Sequence, residues 1–204
     1  VVEIADGAHR GRGECVPYGR YGETIAKSIA ESELLRPALE AGLSREELQY
    51  KMKPGAARNA VDCALWDLEA KQSGRSAAAL AGLPAMKPVT TAYTLSLGSV
   101  ESMAAAAKAN AHRPLLKLKL AGPGDLDRVA AVHASAPNSR LIVDANEGWA
   151  ADIFTELAPK LVPLGVEMIE QPLPAADDSA LAGLARPIAV CADESCHGVE
   201  TLPR

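Results

Sequence analysis

The chain has 204 residues, 48% hydrophobic but only 3% aromatic, with a formal net charge of −5. That length fits one large domain, or a small domain and part of a larger one. The acidic balance and the few aromatic rings exclude a basic or stacking nucleic-acid surface, and no apolar run is long enough to cross a membrane.

The chain opens on strand-like Val1-Val2-Glu3-Ile4, as if inside a domain. Residues 1–16 read as two short strands with a turn at Gly11-Arg12-Gly13. Glu23 to about Ala41 reads as a helix, with Ile25, Ile29, Leu34 and Leu35 as its apolar stripe. Ser44-Arg45-Glu46-Glu47 has the form of a capping box. Ala56 to Lys71 reads as a further helix, with Val61, Ala64, Leu65 and Leu68 on one face and Gly74 as its stop. Residues 1–86 therefore form a small α+β unit.

At Lys87-Pro88 the rhythm changes. Strands are predicted at Val89–Leu97, Leu115–Leu120, Leu141–Asp144, Val166–Glu170 and Ile188–Asp193. Helices are predicted between them, at Val100–His112, Leu126–His133, Ile153–Leu161 and Ser179–Leu184. Alternation of this kind implies a parallel sheet with crossover helices over residues 87–204. A doubly wound sheet and a (β/α)8 barrel both fit it. Polar residues gather at the C-terminal ends of successive strands, where barrels place their chemistry. The Gly-rich phosphate loop of a doubly wound sheet is missing after the first strand.

Three of those strand ends carry acids: Asp144, Glu170 and Asp193. Their carboxylates would converge from neighbouring strands, and a divalent cation would relieve their repulsion. An all-oxygen donor set suits magnesium, or manganese, over zinc. Acids at strand ends also cap the helices that follow, but three in consecutive units favour a shared ion. Asn146 follows Asp144 on the same side and is placed to hydrogen-bond a ligand. Lys117 and Lys119 alternate with Leu116, Leu118 and Leu120, so period-2 geometry sends both amines to one face. That face is the interior of a barrel or a solvated strand surface. Two adjacent amines near a metal would lower a lysine pKa toward the range of a general base. Together these groups suit proton abstraction alpha to a carboxylate, with cation and ammonium stabilising the enediolate. The four cysteines, Cys15, Cys63, Cys191 and Cys196, form no CxxC pair. Reduced thiols in a cytoplasmic protein are expected, and the N-terminus has no signal-peptide pattern.

These residues resemble the enolase superfamily, in its muconate-lactonizing subgroup, and within that the dipeptide epimerases of the L-Ala-D/L-Glu type. The resemblance rests on Gly13-Glu14-Cys15-Val16-Pro17-Tyr18, Arg20-Tyr21-Gly22-Glu23-Thr24, Ala64-Leu65-Trp66-Asp67-Leu68 and Thr91-Ala92-Tyr93-Thr94-Leu95-Ser96. It continues through Lys117-Leu118-Lys119, Asp144-Ala145-Asn146, Glu170-Gln171-Pro172-Leu173-Pro174 and Ala192-Asp193-Glu194-Ser195-Cys196-His197. The resemblance implies an α/β protein: a partial N-terminal α+β capping domain (1–86), then strands one to five of an incomplete (β/α)8-type barrel (87–204). It implies Mg²⁺ on Asp144, Glu170 and Asp193, Lys119 as one acid/base, and Lys117 as the group that neutralises the substrate carboxylate. It also implies a mobile loop around Tyr18, Arg20 and Tyr21 that contacts a dipeptide, and a homo-oligomer at full length. Sites of this superfamily characteristically pair a Lys or His base with magnesium, which stabilises the enediolate.

The family's opening strand is expected before Val1. Inversion of a stereocentre needs a base on each face, and the family's second lysine lies on the sixth barrel strand. The only lysine after Lys119 is Lys160, in a helix pattern. A typical barrel takes about 250 residues, more than twice the stretch from Lys87. The 204-residue chain alone is therefore expected not to epimerise. A muconate cycloisomerase, an o-succinylbenzoate synthase-like enzyme of the same superfamily and a non-catalytic metal-binding fragment are the alternatives.

Overall fold

The computed structural model describes residues 1–198 and 201–202. The chain divides into two compact units, one ending at Pro88 and the other beginning at Val89.

The first unit opens on an antiparallel hairpin of β1 (Val2–Asp6) and β2 (His9–Gly13), in register from Val2 opposite Gly13 to Asp6 opposite His9. The turn lies at Gly7, whose φ of 55° is left-handed, and not at Gly11-Arg12-Gly13 as the sequence suggested. Gly11 and Gly13 have a different purpose. Helix α4 (Ala56–Ser73) packs so closely on β2 that a Cβ at Gly11 would overlap the Ala64 carbonyl, and one at Gly13 the Ala60 carbonyl. Side chains of α4 also cover the open edge of β2. The Arg12 N–H donates to Asp67 Oδ2 (2.8 Å), Lys71 Nζ donates to the Arg10 carbonyl (2.7 Å), and Asn59 donates to the Glu14 carbonyl (3.2 Å). Covering an edge in this way blocks pairing with a foreign strand.

The long first helix expected from the sequence is broken. Thr24 caps α1 (Ile25–Leu34), and α2 (Arg36–Glu40) restarts at Pro37. Ile25, Ile29 and Leu34 are exposed, and only Leu35 of the expected stripe is buried. The capping box is present at the start of α3 (Arg45–Lys51): Ser44 accepts from the Glu47 N–H, and Glu47 accepts from the Ser44 N–H. Leu35, Leu43, Leu48 and Val61 form a small core with Val2, Ile4 and Leu65 around it. A one-turn α5 (Ala77–Leu80) follows Gly74.

The second unit is a five-stranded parallel sheet: β3 (Tyr93–Leu95), β4 (Leu115–Lys119), β5 (Arg140–Asp144), β6 (Val166–Glu170) and β7 (Ala189–Cys191). The first and last strands are shorter than the sequence suggested. Helices α6 (Val100–Ala109), α7 (Asp125–Ser135) and α8 (Ala151–Leu161) cross between the first four strands. A 3-10 segment, Asp178–Gly183, stands where a short helix was expected. Every strand pairs with its neighbour in sequence, β3-β4-β5-β6-β7. A doubly wound sheet would reverse its order part-way, so the winding is that of a partial (β/α) barrel.

Alternation then sorts the side chains. Leu116, Leu118, Leu141, Val143 and Ile169 face the helices and pack with Met103, Val129, Val132, Phe154 and Leu161 in the main core. Lys117, Lys119, Asp144 and Glu170 fall on the opposite face. Among the described residues no helix is long and apolar enough to cross a membrane. Replacement of Gly13 by Ala should destabilise the first unit by about 1–3 kcal/mol or more, read by denaturant unfolding. A Gly7→Ala change meets no neighbour and should cost less.

Candidate active site at the strand ends

Register places the polar side chains in one row. Lys119 lies beside Asp144, Asp144 beside Glu170, and Glu170 beside Cys191. Lys117 reaches up from one pleat below. Its ammonium stands 2.9 Å from Asp144 Oδ2 and 2.7 Å from Glu170 Oε2. The Lys119 ammonium stands 2.7 Å from the same Asp144 Oδ2 and donates to Asn146 Oδ1 at 2.9 Å. The other Asp144 oxygen, Oδ1, accepts the Asn146 N–H at 3.0 Å. The Asp144 side chain is fully buried, while those of Lys117 and Lys119 keep 20% and 35% of their exposure. One carboxylate thus anchors both amines of the Lys-x-Lys strand.

Burial alone would push the Asp144 carboxyl up. Hydrogen bonds from Lys119, Lys117 and the Asn146 N–H outweigh burial and hold it below the usual carboxylate range. Burial likewise pushes the Lys117 amine down, but its contacts with Glu170 and Asp144 win and raise it above the ordinary lysine value. The lowered lysine pKa expected from the sequence is for amines beside a bound metal; without an ion, the direction for Lys117 is upward. For Lys117 the shared carboxylates outweigh burial.

The three expected acids are not brought together equally. Asp144 and Glu170 end adjacent strands. Asp193 lies two residues past the end of β7, with its side chain exposed. Among the described residues no group of three acids, cysteines or histidines is close enough to hold an ion. The donor chemistry nevertheless fits a hard cation. Asp144 and Glu170 offer adjacent carboxylates, neutralised here by the two ammonium groups. Glu194, next to Asp193, has its Oε2 buried with no hydrogen-bond partner among the described residues. Its Oε1 accepts from Asn146 Nδ2 at 3.4 Å. An orphaned, buried acid oxygen beside the cluster is what an absent positive partner would satisfy.

Several residues that frame the site carry no obvious sequence signal. Buried Asp125 accepts the N–H groups of Ala121 and Gly122 after β4 and the Trp149 indole N–H (2.8 Å) from the loop after β5. It ties the two loops that follow Lys119 and Asp144. Asn146, Glu147 and Gln171 have left-handed backbones with φ of 44°, 65° and 34°. Non-glycine residues in that region store strain of about 1–3 kcal/mol and cluster at functional sites.

In the first unit, the loop carrying Tyr18, Arg20 and Tyr21 is tied by Glu23. Its Oε2 accepts the Tyr18 N–H at 2.9 Å and its Oε1 accepts the Ala56 N–H at 2.6 Å, at the start of α4. Those bonds hold the Glu23 carboxyl below its usual range. A Cβ at Gly55, whose φ is 150°, would come within 2.7 Å of Glu23 Oε1. The Tyr18 and Tyr21 rings meet edge to face, 5.7 Å between centroids. All four cysteines are free.

An Asp144→Asn variant leaves two ammonium groups facing a neutral amide. Breaking a fully buried pair costs about 3–5 kcal/mol, and the solvent that reaches both lysines reduces this. Urea unfolding should show a loss of about 1–3 kcal/mol, partly restored by a second change, Lys117→Met.

Residues 1–82 match the family model of the mandelate racemase/muconate lactonizing enzyme N-terminal domain, and residues 77–204 match that of the enolase C-terminal domain-like family. The chain is 46% identical over 199 residues to an L-Ala-D/L-Glu epimerase of Escherichia coli, covering 97% of this chain and 62% of that one. An Agrobacterium tumefaciens enolase family member with homology to dipeptide epimerases, solved with sodium and L-Ala-L-Glu, is 52% identical. It superposes with a TM-score of 0.92 over 98% of this chain and 61% of its own. A dipeptide epimerase of Cytophaga hutchinsonii, solved with Mg and D-Ala-L-Val, is 27% identical with a TM-score of 0.84, over 95% of this chain and 57% of its own. The chain thus spans about three-fifths of the length of these relatives. With a match to one family model or the other along its whole length, the chain belongs to the mandelate racemase/muconate lactonizing enzyme family of the enolase superfamily.

Proposed function

We propose that these residues form the metal-binding and first-base part of a dipeptide epimerase of the L-Ala-D/L-Glu type. The observation that carries this reading is the pair Lys117 and Lys119 sharing one buried carboxylate oxygen of Asp144 at the C-terminal strand ends. Asp144 and Glu170, with an acid of the Asp193-Glu194 turn, are the proposed ligands of a divalent cation, magnesium by donor type. Such an ion, when bound, would polarise the substrate carboxylate and make the proton alpha to it more acidic.

The protein's own groups do the rest in this proposal. Lys119 takes and returns the alpha proton on one face of the carbon. The Lys117 ammonium neutralises charge that builds on the substrate carboxylate as the proton leaves. Lys119 must be neutral to accept a proton. With Asp144 and Glu170 engaged by a cation, Lys117 would lose the contacts that favour its charged form. Asn146, which bonds Lys119 here, is proposed to orient that amine. Lys160 is no candidate for the opposite face, because it pairs with Glu156 on the surface of α8 at 2.7 Å. The 204-residue chain by itself is proposed to exchange the alpha proton on one face without inverting the centre.

The test is incubation of L-Ala-L-Glu with Mg²⁺ in D₂O, followed by NMR and chiral separation. The full-length protein should incorporate deuterium at the glutamate alpha carbon and yield L-Ala-D-Glu. Lys119→Ala should cut the rate on the order of 10³-fold. The 204-residue chain should give exchange and no D-product. Turnover that survives Lys119→Ala, or that is confined to cyclic acids, would overturn the reading.

A further inference from the structure

We propose that Gln171 is a positioning residue, whose buried amide locks the Asp193-Glu194-Ser195 turn onto the end of β6 and so builds one wall of the acid cluster. The inference rests on the cation site proposed above and adds the residue that shapes it. Gln171 follows Glu170 directly and is only 2% exposed. Its side-chain amide is used in full by the described residues. Oε1 accepts the N–H of Asp193 at 2.9 Å and the N–H of Ser195 at 3.1 Å. Nε2 donates to Ser195 Oγ at 2.7 Å and to the Leu173 carbonyl at 2.9 Å. Its backbone N–H continues the ladder to the Cys191 carbonyl at 2.9 Å, and its carbonyl accepts the Glu147 N–H at 2.8 Å. One residue therefore joins the segments that follow β5, β6 and β7.

The geometry comes at a cost in backbone strain. Gln171 holds φ at 34°, a region that a glutamine seldom adopts. That conformation turns the chain after Glu170, while the clamp it makes fixes the turn that begins at Asp193. On the same turn, Glu194 Oε2 is buried and has no hydrogen-bond partner among the described residues. Glu194 Oε1 accepts from Asn146, whose Oδ1 accepts from Lys119, so the clamped turn is linked to the cluster. A group that holds ion-binding residues in place typically changes metal affinity about 10–100-fold when it is lost.

The experiment measures Mn²⁺ affinity of the full-length protein by the loss of the free-ion EPR signal, with amide hydrogen exchange read on the same samples. Gln171→Met keeps the side-chain length and removes all four amide bonds. It should weaken Mn²⁺ binding about 10-fold or more and expose the Asp193 and Ser195 amides to exchange. Combined with Asp193→Asn and Glu194→Gln, it should add little further loss, because it acts through that turn. Gln171→Glu keeps the Oε1 acceptor, so it should restore part of the affinity. It also serves as the second reading if the methionine variant does not fold. Wild-type affinity in either variant while Asp144→Asn loses binding would overturn the positioning role alone. Fully additive losses would do the same. Absence of Mn²⁺ binding in the wild type would overturn both this role and the site it rests on.

Discussion

The carboxylate of Asp144 is the constraint around which the second unit is arranged. It is fully buried, and a buried charge is tolerated only with partners. Two ammonium groups and a backbone N–H supply them. Each partner comes from a place fixed by the fold. The lysines stand two residues apart on the neighbouring strand, and the N–H belongs to a left-handed residue just past the strand end. Move any of these and the buried acid loses part of its compensation.

The sheet makes that arrangement possible. Sequential parallel pairing puts strand ends side by side, and the ladder continues past the strands. The Ala145 N–H donates to the Glu170 carbonyl, and the Gln171 N–H donates to the Cys191 carbonyl. Loops held by such bonds are rigid enough to present side chains at set distances. The helix-facing side is a close-packed aliphatic core, which leaves the other face free to carry charge. Strain at Asn146, Glu147 and Gln171 is concentrated where the chain leaves this scaffold. The same division of labour, rigid strands below and strained loops above, is general in barrel enzymes.

Much of this is legible in the residues. The Leu-Lys-Leu-Lys-Leu alternation puts both amines on one face, and the structure joins them on one oxygen. Acids closing consecutive apolar runs place Asp144 and Glu170 at the C-terminal ends of adjacent strands. The illegible parts depend on contacts distant in sequence. Gln171 reads as an ordinary polar residue after a strand, and its clamp involves a turn more than twenty residues later. Gly11 and Gly13 have the composition of a turn, yet they serve the approach of a helix some fifty residues on. Ile25 and Ile29 have helical spacing, but spacing alone does not say what covers them, and both are exposed. The upward direction of the Lys117 shift in the absence of an ion depends on Glu170 and Asp144, which lie 53 and 27 residues away in sequence and whose pairing outweighs burial.

The charge state of this cluster is what the proposed chemistry depends on, and site-resolved NMR titration without added divalent ions tests it most directly. The Asp144 carboxyl should titrate below its ordinary 3.8 and the Lys117 amine above its ordinary 10.5. The signs then follow by linkage. The Asp144 contribution to stability is complete above 3.8 and is lost as the pH falls through its lower folded value. The Lys117 contribution is complete below 10.5 and is lost as the pH rises through its higher folded value. An Asp144 that titrates above 3.8, or a Lys117 that titrates below 10.5, would mean that burial defeats pairing and would contradict the shared-carboxylate site.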